Sequence, residues 1–228
     1  MHGYVFQFRP VFQELPLLLS GALVTIHISI LALFFSFIVG TIGALCRVSR
    51  FRWLRAAVRW YVEFIRNTPL LVQLFFIYFG FSQINIEVSN YWAGVIGLVV
   101  NNGAYLTEIV RAGIEAIHKG QFEAGHSLGL SFPQLMRYVV FPQAFRVIYP
   151  PLCNQFIGII LWSSLVSTIA VQELALRGKE LVTETFRSFE VYTVVTLVYV
   201  VMTLTISGLL KLLGRRLLRH RHSRRRDC

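Results

Sequence analysis

Apolar residues fall in long blocks along this chain, and charged residues gather between the blocks. Uncharged runs cover Leu15–Cys46, Asn67–Ile86, Val88–Thr107, Val147–Gln172 and Val191–Leu210. A helix rises about 1.5 Å per residue, so roughly 20 predominantly apolar residues cross the ~30 Å hydrocarbon core of a bilayer. Every run meets that length. The pattern predicts an all-α, polytopic membrane protein, one transmembrane domain over residues 1–228 with five transmembrane helices. The spans fall at about 16–46, 62–84, 91–117, 139–171 and 190–213, with a loop at about 118–138 and a basic tail over 214–228.

Composition agrees. Of 228 residues, 55% are hydrophobic and 14% charged, and mean hydropathy is +0.61, against roughly 25% charged in soluble domains. The first run is far longer than the apolar core of about 7–15 residues in a secretory signal, and no basic stretch precedes it. Gly40, Gly43 and Ala44 place small residues at close spacing there, which lets a neighbouring helix approach.

Basic residues set the orientation. The first connection reads Arg47-Val48-Ser49-Arg50-Phe51-Arg52, with Arg55, Arg59 and Arg66 beyond, and the tail carries Arg215, Arg216, Arg219, Arg221 and Arg224 to Arg226. Of the 22 Lys and Arg, only Arg9, Arg177, Lys179 and Arg187 fall on the opposite side. Arginine-rich loops stay in the cytoplasm, which predicts the N-terminus outside and the C-terminus inside. That topology accounts for the net charge of +11 without a nucleic-acid partner, and the tail also meets anionic membrane lipid. Cys46, Cys153 and Cys228 have no metal-ligand spacing, so no metal site is expected.

The connection from Arg111 to Arg146 is too long for a simple turn. Gly113 through Gly125 can continue as helix, with Ile114, Ile117 and Phe122 on one face, until Gly129 supplies a permissive turn. Ser131 then resembles an N-cap, with Gln134 completing a capping box and Pro133 tolerated in the first turn. Short helices at a membrane surface are not stable alone, so the pair must pack on something.

Polar residues at membrane depth face cavities or partner helices. Asn101, Asn102, Asn154, Gln155, Ser163, Ser164 and Ser167 are therefore candidates for a path, with interhelical hydrogen bonding as the alternative. Pro150-Pro151 at the head of the fourth span is expected to break or kink its helix. Glu108 and Arg111, and likewise Glu63 and Arg66, stand three apart on one helix face and read as packing pairs. His27 is alone in the first span and reads as a packing residue rather than a proton carrier. Outside, Gln172 to Glu190 is a mixed-charge connection, readable as a solvated loop or as a docking face.

Several blocks carry a resemblance. Glu123-Ala124-Gly125, then Gly129, then Phe141-Pro142 before a final apolar stretch is similar to the EAA loop of inner-membrane permease subunits of ABC importers. Arg66-Asn67-Thr68-Pro69-Leu70, Gly103 to Ile114, Lys119-Gly120-Gln121, Phe141-Pro142-Gln143-Ala144 and Asn154-Gln155-Phe156 resemble the polar amino acid uptake branch, over nearly the whole chain from Leu15 to Leu213. The resemblance implies a type I ABC importer permease-like bundle in a bacterial inner membrane. It implies a coupling helix at about Gly120 to Leu128 that sits in a cleft of a cytoplasmic ABC ATPase dimer. Gly120, Gln121, Glu123, Ala124, Gly125, Ser127, Leu128 and Gly129 would form that coupling element. It also implies a second permease subunit, identical or homologous, and an extracytoplasmic solute-binding protein.

The chain has no Gly-x-x-x-x-Gly-Lys-Ser/Thr phosphate loop. ATP hydrolysis is therefore expected on the partner, with ATP and Mg there, and no cofactor and no catalytic residue on this chain. Two departures stand out. Gly125 replaces the second alanine of the usual Glu-Ala-Ala, and the fourth span reads Leu161-Trp162-Ser163-Ser164-Leu165 where the branch commonly has Lys, an acidic or amide residue, then Thr-Ser-Leu. Trp162 thereby joins the candidate path, with packing of Leu161 and Trp162 on a neighbouring subunit as the alternative. The alternative function is a gradient-driven secondary amino-acid carrier, which needs intramembrane ionisable residues and often an internal repeat.

Overall fold

The computed structural model describes residues 5–219, and among these every regular element is helical. A short α1 (Arg9–Gln13) leads into α2 (Leu15–Val48), followed by α3 (Arg52–Arg66), α4 (Leu70–Gln83) and α5 (Asn90–Glu115). Then come α6 (Lys119–Ser127), α7 (Phe132–Leu135), a π turn (Met136–Val140) and α8 (Phe141–Trp162). A 3-10 segment (Ser163–Ile169), α9 (Leu174–Thr185) and α10 (Ser188–Arg219) complete the chain. The tail arginines Arg221 and Arg224 to Arg226 lie outside the described residues.

Four stretches among the described residues are long and apolar enough to cross a membrane as single helical rods: Leu15–Val48, Asn90–Glu115, Phe132–Ile169 and Ser188–Arg216. The central one is α5, whose most apolar window is 67% buried against 17–33% for the others. It packs on α2, α3, α4 and α8. The α2–α5 approach is close because small residues line it. Gly40 and Gly43 meet Leu106 and Thr107, and a Cβ on Gly40 would lie 2.5 Å from Leu106 Cβ.

The predicted second span is not one helix. α3 and α4, which share that stretch of chain, meet at 107°, and α4 alone is 14 residues long. Pro69 has no N–H and disfavours helical backbone at Thr68, so the helix ends at Arg66 and restarts at Leu70. Gln73 takes over the freed groups, its amide donating to Ile65 O at 2.9 Å, Thr68 O at 3.1 Å and Thr68 Oγ1 at 2.8 Å. Asn101 of α5 donates to Gln73 Oε1 at 3.0 Å and fixes the bend to the central helix.

Three further expectations change. Pro150 and Pro151 do not end a helix: α8 runs unbroken to Trp162. The fourth span begins at Phe132, so both prolines lie well inside it, and Tyr149 beside them anchors the helix by donating to Leu210 O at 2.7 Å. Gly113 through Gly125 is not one helix, because α5 stops at Glu115 and His118 caps a new start by accepting from Gly120 N at 3.1 Å. The outer connection is not a solvated loop. It folds as α9, with Glu173 and Glu190 fully buried.

Candidate functional site: a cytoplasmic loop and a membrane cleft

The loop between α5 and α8 is built around two glycines with different tasks. Gly129 has φ +71°, and a Cβ there would meet nothing within 4 Å, so the demand is conformational. Gly129 N donates to His126 O at 2.9 Å and Leu130 N to Gly125 O at 3.1 Å, the paired bonds of a Schellman stop. Gly125 is needed for space. A Cβ there would lie 2.4 Å from Leu135 Cδ1, so only a bare α carbon lets α6 seat on α7.

Restarting the chain, Ser131 N donates to Gln134 Oε1 at 2.9 Å, the reach-back half of the predicted capping box. The inner side of the loop packs Leu135, Met136 and Val140 against Ile114 and Ile117 of the α5 end, with Phe122 alongside. Gln143 of α8 donates to Gln121 Oε1 of α6 at 3.1 Å. Glu123, Ala124, Ser127 and Leu128 are exposed, Leu128 at 80%. The loop is thus joined to two spans on one side and open on the other.

Clefts of ≈ 490 to ≈ 630 Å³ recur at several places on the bundle. The one relevant to a path has ≈ 530 Å³ and is lined by Arg66, Tyr105, Glu108, Asn154 and Gln155 among others. Asn154 is exposed in it, and Gln155 Nε2 is buried there without a hydrogen bond among the described residues. Arg66 lies over the Tyr105 ring at 5.2 Å, and Tyr105 faces Trp162 at 6.2 Å between ring centroids. Trp162 covers Gly158, whose Cβ position would be 3.1 Å from its ring. Leu161 turns outward, 48% exposed.

The other candidate polar residues do not join this cleft. Asn101 serves Gln73, Ser163 is buried and donates to Ile160 O at 2.7 Å, and Ser164 donates to Leu161 O at 2.7 Å. Asn102 is buried with both amide atoms unpaired among the described residues. Sequence reasoning passed over Tyr105 and Gln73. Tyr105 stands three before Glu108, on the same helix face, and Gln73 is a polar residue at membrane depth like those selected.

Charges near the cleft are largely neutralised. Arg111 pairs with Glu108 at 2.7 Å and with Glu115 at 2.5 Å, while Arg47 at the end of α2 approaches Glu108 at 3.5 Å. The Glu63–Arg66 pair does not form. Glu63 pairs instead with Arg59 at 2.7 Å, because Arg66 is drawn to the Tyr105 ring. His27 accepts or donates through Nδ1 at 2.6 Å from the Tyr91 hydroxyl.

On the other side of the bundle, Glu173 caps α9 by accepting from Leu176 N at 3.0 Å. Its second oxygen accepts from Tyr199 at 2.8 Å and lies 3.3 Å from Thr25 Oγ1. Burial pushes its carboxyl above the ordinary value, only partly countered by these bonds.

Comparison with known proteins gives these features a family. The binding-protein-dependent transport system inner membrane component matches residues 32–219. The glutamine transport system permease protein GlnP of Escherichia coli (strain K12) is 37% identical over 215 residues, covering 93% of this chain and 98% of that one. The probable amino-acid ABC transporter permease protein YckA of Bacillus subtilis (strain 168) is 37% identical over 196 residues, 86% of this chain and 87% of that one. A crystal structure of an amino acid ABC transporter with histidines is similar with TM-score 0.86 and 39% identity, covering 93% of this chain and all of that one. The MetNI methionine ABC transporter in an inward-facing conformation shares the fold, with TM-score 0.76 at 19% identity over 90% of this chain and 98% of that one. With the bent second span, the glycine-stopped loop helix and the match from residue 32 to 219 together, the chain belongs to the family of binding-protein-dependent transport system inner membrane components.

Proposed function

We propose that this chain passes a polar amino acid or a close analogue across the inner membrane as the permease subunit of an ATP-driven importer. An extracytoplasmic binding protein delivers the solute, and a cytoplasmic ABC ATPase dimer supplies the energy and holds the ATP and Mg. A second permease subunit completes the path, and the N-terminus lies outside. The observation that carries the reading is the loop helix α6. It exposes Glu123, Ala124, Ser127 and Leu128 on one side while Gly125 is buried on the other. That relatives of this chain are permeases for glutamine and amino acids supports the solute class.

The geometry suggests how force would pass. The exposed side of α6 docks on the ATPase. Its inner side is locked to α7 through Gly125 and Leu135, to α8 through Gln121 and Gln143, and to α5 through the short link at Ala116–His118. A packed contact is bistable rather than compliant, so a displaced α6 carries α5 and α8 with it. Those two helices carry Tyr105, Asn154 and Gln155, the walls of the cleft. ATPase closure therefore reshapes the cleft.

The test is ATPase activity of the reconstituted complex with liganded binding protein, comparing the unmodified chain with Gly129→Asp and Glu123→Lys. Ligand-stimulated hydrolysis that both substitutions abolish, in subunits that still insert, supports coupling through this loop. Stimulation that survives both sinks it. Transport that persists after the partner ATPase is disabled would restore the carrier alternative.

A further inference from the structure

We infer that α3 is an in-plane helix that binds anionic phospholipid at the cytoplasmic leaflet, with Arg52, Arg55 and Arg59 on the headgroups and Trp53, Trp60 and Phe64 among the acyl chains. The leaflet assignment rests on the orientation proposed above; the lipid contact itself does not.

Its direction comes first. The apolar α4 runs outward along the α5 wall, Leu74 packing against Gly97, and α3 leaves it at 107°. α4 follows α5, with Gln73 beside Asn101 and Leu74 beside Gly97, and α5 is long enough to span, so a helix nearly perpendicular to α4 lies along the membrane plane. Its depth follows from its partners. The buried side, Val62 and Ile65 with Val58 and Tyr61, packs on Val100 and Ala104 of α5, and Tyr61 donates to Val100 O at 2.7 Å. Those positions precede the first charge of α5, Glu108, by four to eight residues, or about 6 to 12 Å of helix. That is the depth at which interfacial amphipathic helices rest, about 5–10 Å below the headgroup boundary.

The helix then divides into three faces. At about 100° per residue, Val58, Tyr61, Val62 and Ile65 point toward the bundle. Arg52, Arg55 and Arg59 lie roughly 110° to one side, and Trp53, Trp60 and Phe64 roughly 130° to the other. Those three aromatics are exposed at 70%, 73% and 65%. A helix lying in the interface against a protein has three surroundings, namely protein, headgroups and acyl chains, and α3 offers one matching face to each. Charge complementarity favours anionic headgroups. Arg52 forms no ion pair among the described residues, and Arg55 meets only the carbonyl of Ser49, at 3.2 Å. Only Arg59 has an acidic partner, Glu63, and that pair is open to solvent on both sides. Indole at interfacial depth is the usual anchor.

The test uses the full chain in its reconstituted complex, in phosphatidylcholine bilayers containing brominated phosphatidylglycerol or brominated phosphatidylcholine. Bromine quenches indole fluorescence on contact, and a Trp53→Phe, Trp60→Phe variant isolates the share due to these two. The expected result is quenching of that share by both lipids, with a preference of about fivefold for phosphatidylglycerol. Arg52→Gln, Arg55→Gln and Arg59→Gln together should bring the preference to about one, and the corresponding lysine triple should keep it. Quenching without headgroup preference overturns the proposal, as does preference that survives the glutamine triple. Absence of quenching at Trp53 and Trp60 also overturns it and marks the face as one covered by another subunit.

Discussion

Gly125→Ala restores the alanine usual at this point of the loop, and two opposing effects follow from where its methyl group lands. In an isolated helix alanine is favoured over glycine by about 0.5–1 kcal/mol. In the fold the new Cβ would sit 2.4 Å from Leu135 Cδ1 and 3.5 Å from its Cγ. Leu135 is fully buried beside Ile114, Ile117 and Met136, so its methyl can yield only by displacing core neighbours. Overpacking of that kind costs about 1–3 kcal/mol. Packing therefore outweighs propensity, and α6 should lose about 1 kcal/mol of local stability. Hydrogen exchange of the α6 amides in the intact chain reads this directly, as an acceleration of about fivefold. Adding Leu135→Val makes room, so the double variant should exchange more slowly than the sum of the two single effects predicts. Unchanged or slower exchange in Gly125→Ala alone would refute the reasoning, since it would mean that Leu135 relaxes without cost.

Three further outcomes are expected. Gly129→Ala should destabilise the loop by about 1–2 kcal/mol and Gly129→Asn by less, because the demand is the left-handed backbone that asparagine tolerates; exchange at Leu130 reports both. Gln73→Leu leaves the carbonyl of Thr68 without its side-chain donor and that of Ile65 with only the longer bonds from Thr68, and should cost about 1–3 kcal/mol, seen as a lower unfolding temperature and as new reactivity of a cysteine placed at Thr68. Glu173 binds its proton more tightly folded than unfolded, so its contribution is complete below its ordinary value of 4.5 and is lost as pH rises through the raised folded value. Thermal unfolding of Glu173→Gln should lack that downward slope, and an identical pH profile in both proteins would exclude Glu173 as its source.

The spans and the loop were legible because both are local properties of the chain. A run such as Val191–Leu210 has no other use for its composition, and Ser131 with Gln134 states a helix start within four residues. Gly129 was legible as a turn for the same reason. What the sequence concealed depends on partners far along the chain. The arrest of the second span at Pro69 is visible only once Gln73 and Asn101 are seen to satisfy the broken end. Gly125 read as a cost in helix propensity, whereas Leu135, ten residues on, makes it a requirement of packing. Glu173 and Glu190 looked like solvated charges because nothing nearby announces Tyr199 as a partner of one or the distant Gln7 backbone N–H as a partner of the other. Asn154 and Gln155, singled out as polar residues at membrane depth, line one cleft, whereas Tyr105 beside them is an aromatic of a kind that ordinarily signals packing.

The π turn at Met136–Val140 sets a rotational phase. Positions four apart on an α-helix drift by about 40° per step, so Met136, Val140, Ala144 and Ile148 would spiral away from a single neighbour. All four are nonetheless buried in one cluster with Ile114 and Val110. A wider turn absorbs one extra residue and cancels much of that drift. Because the wide turn holds one residue more than an α turn, removing one residue here would let it close with little rotation of what precedes it, whereas adding one would turn everything before it by about 100° relative to α8, carrying Leu135 off Gly125 while every side chain involved kept its identity. The span can therefore accept many substitutions here but no added residue, and the loop's aim at whatever lies beneath it is stored as a count of residues.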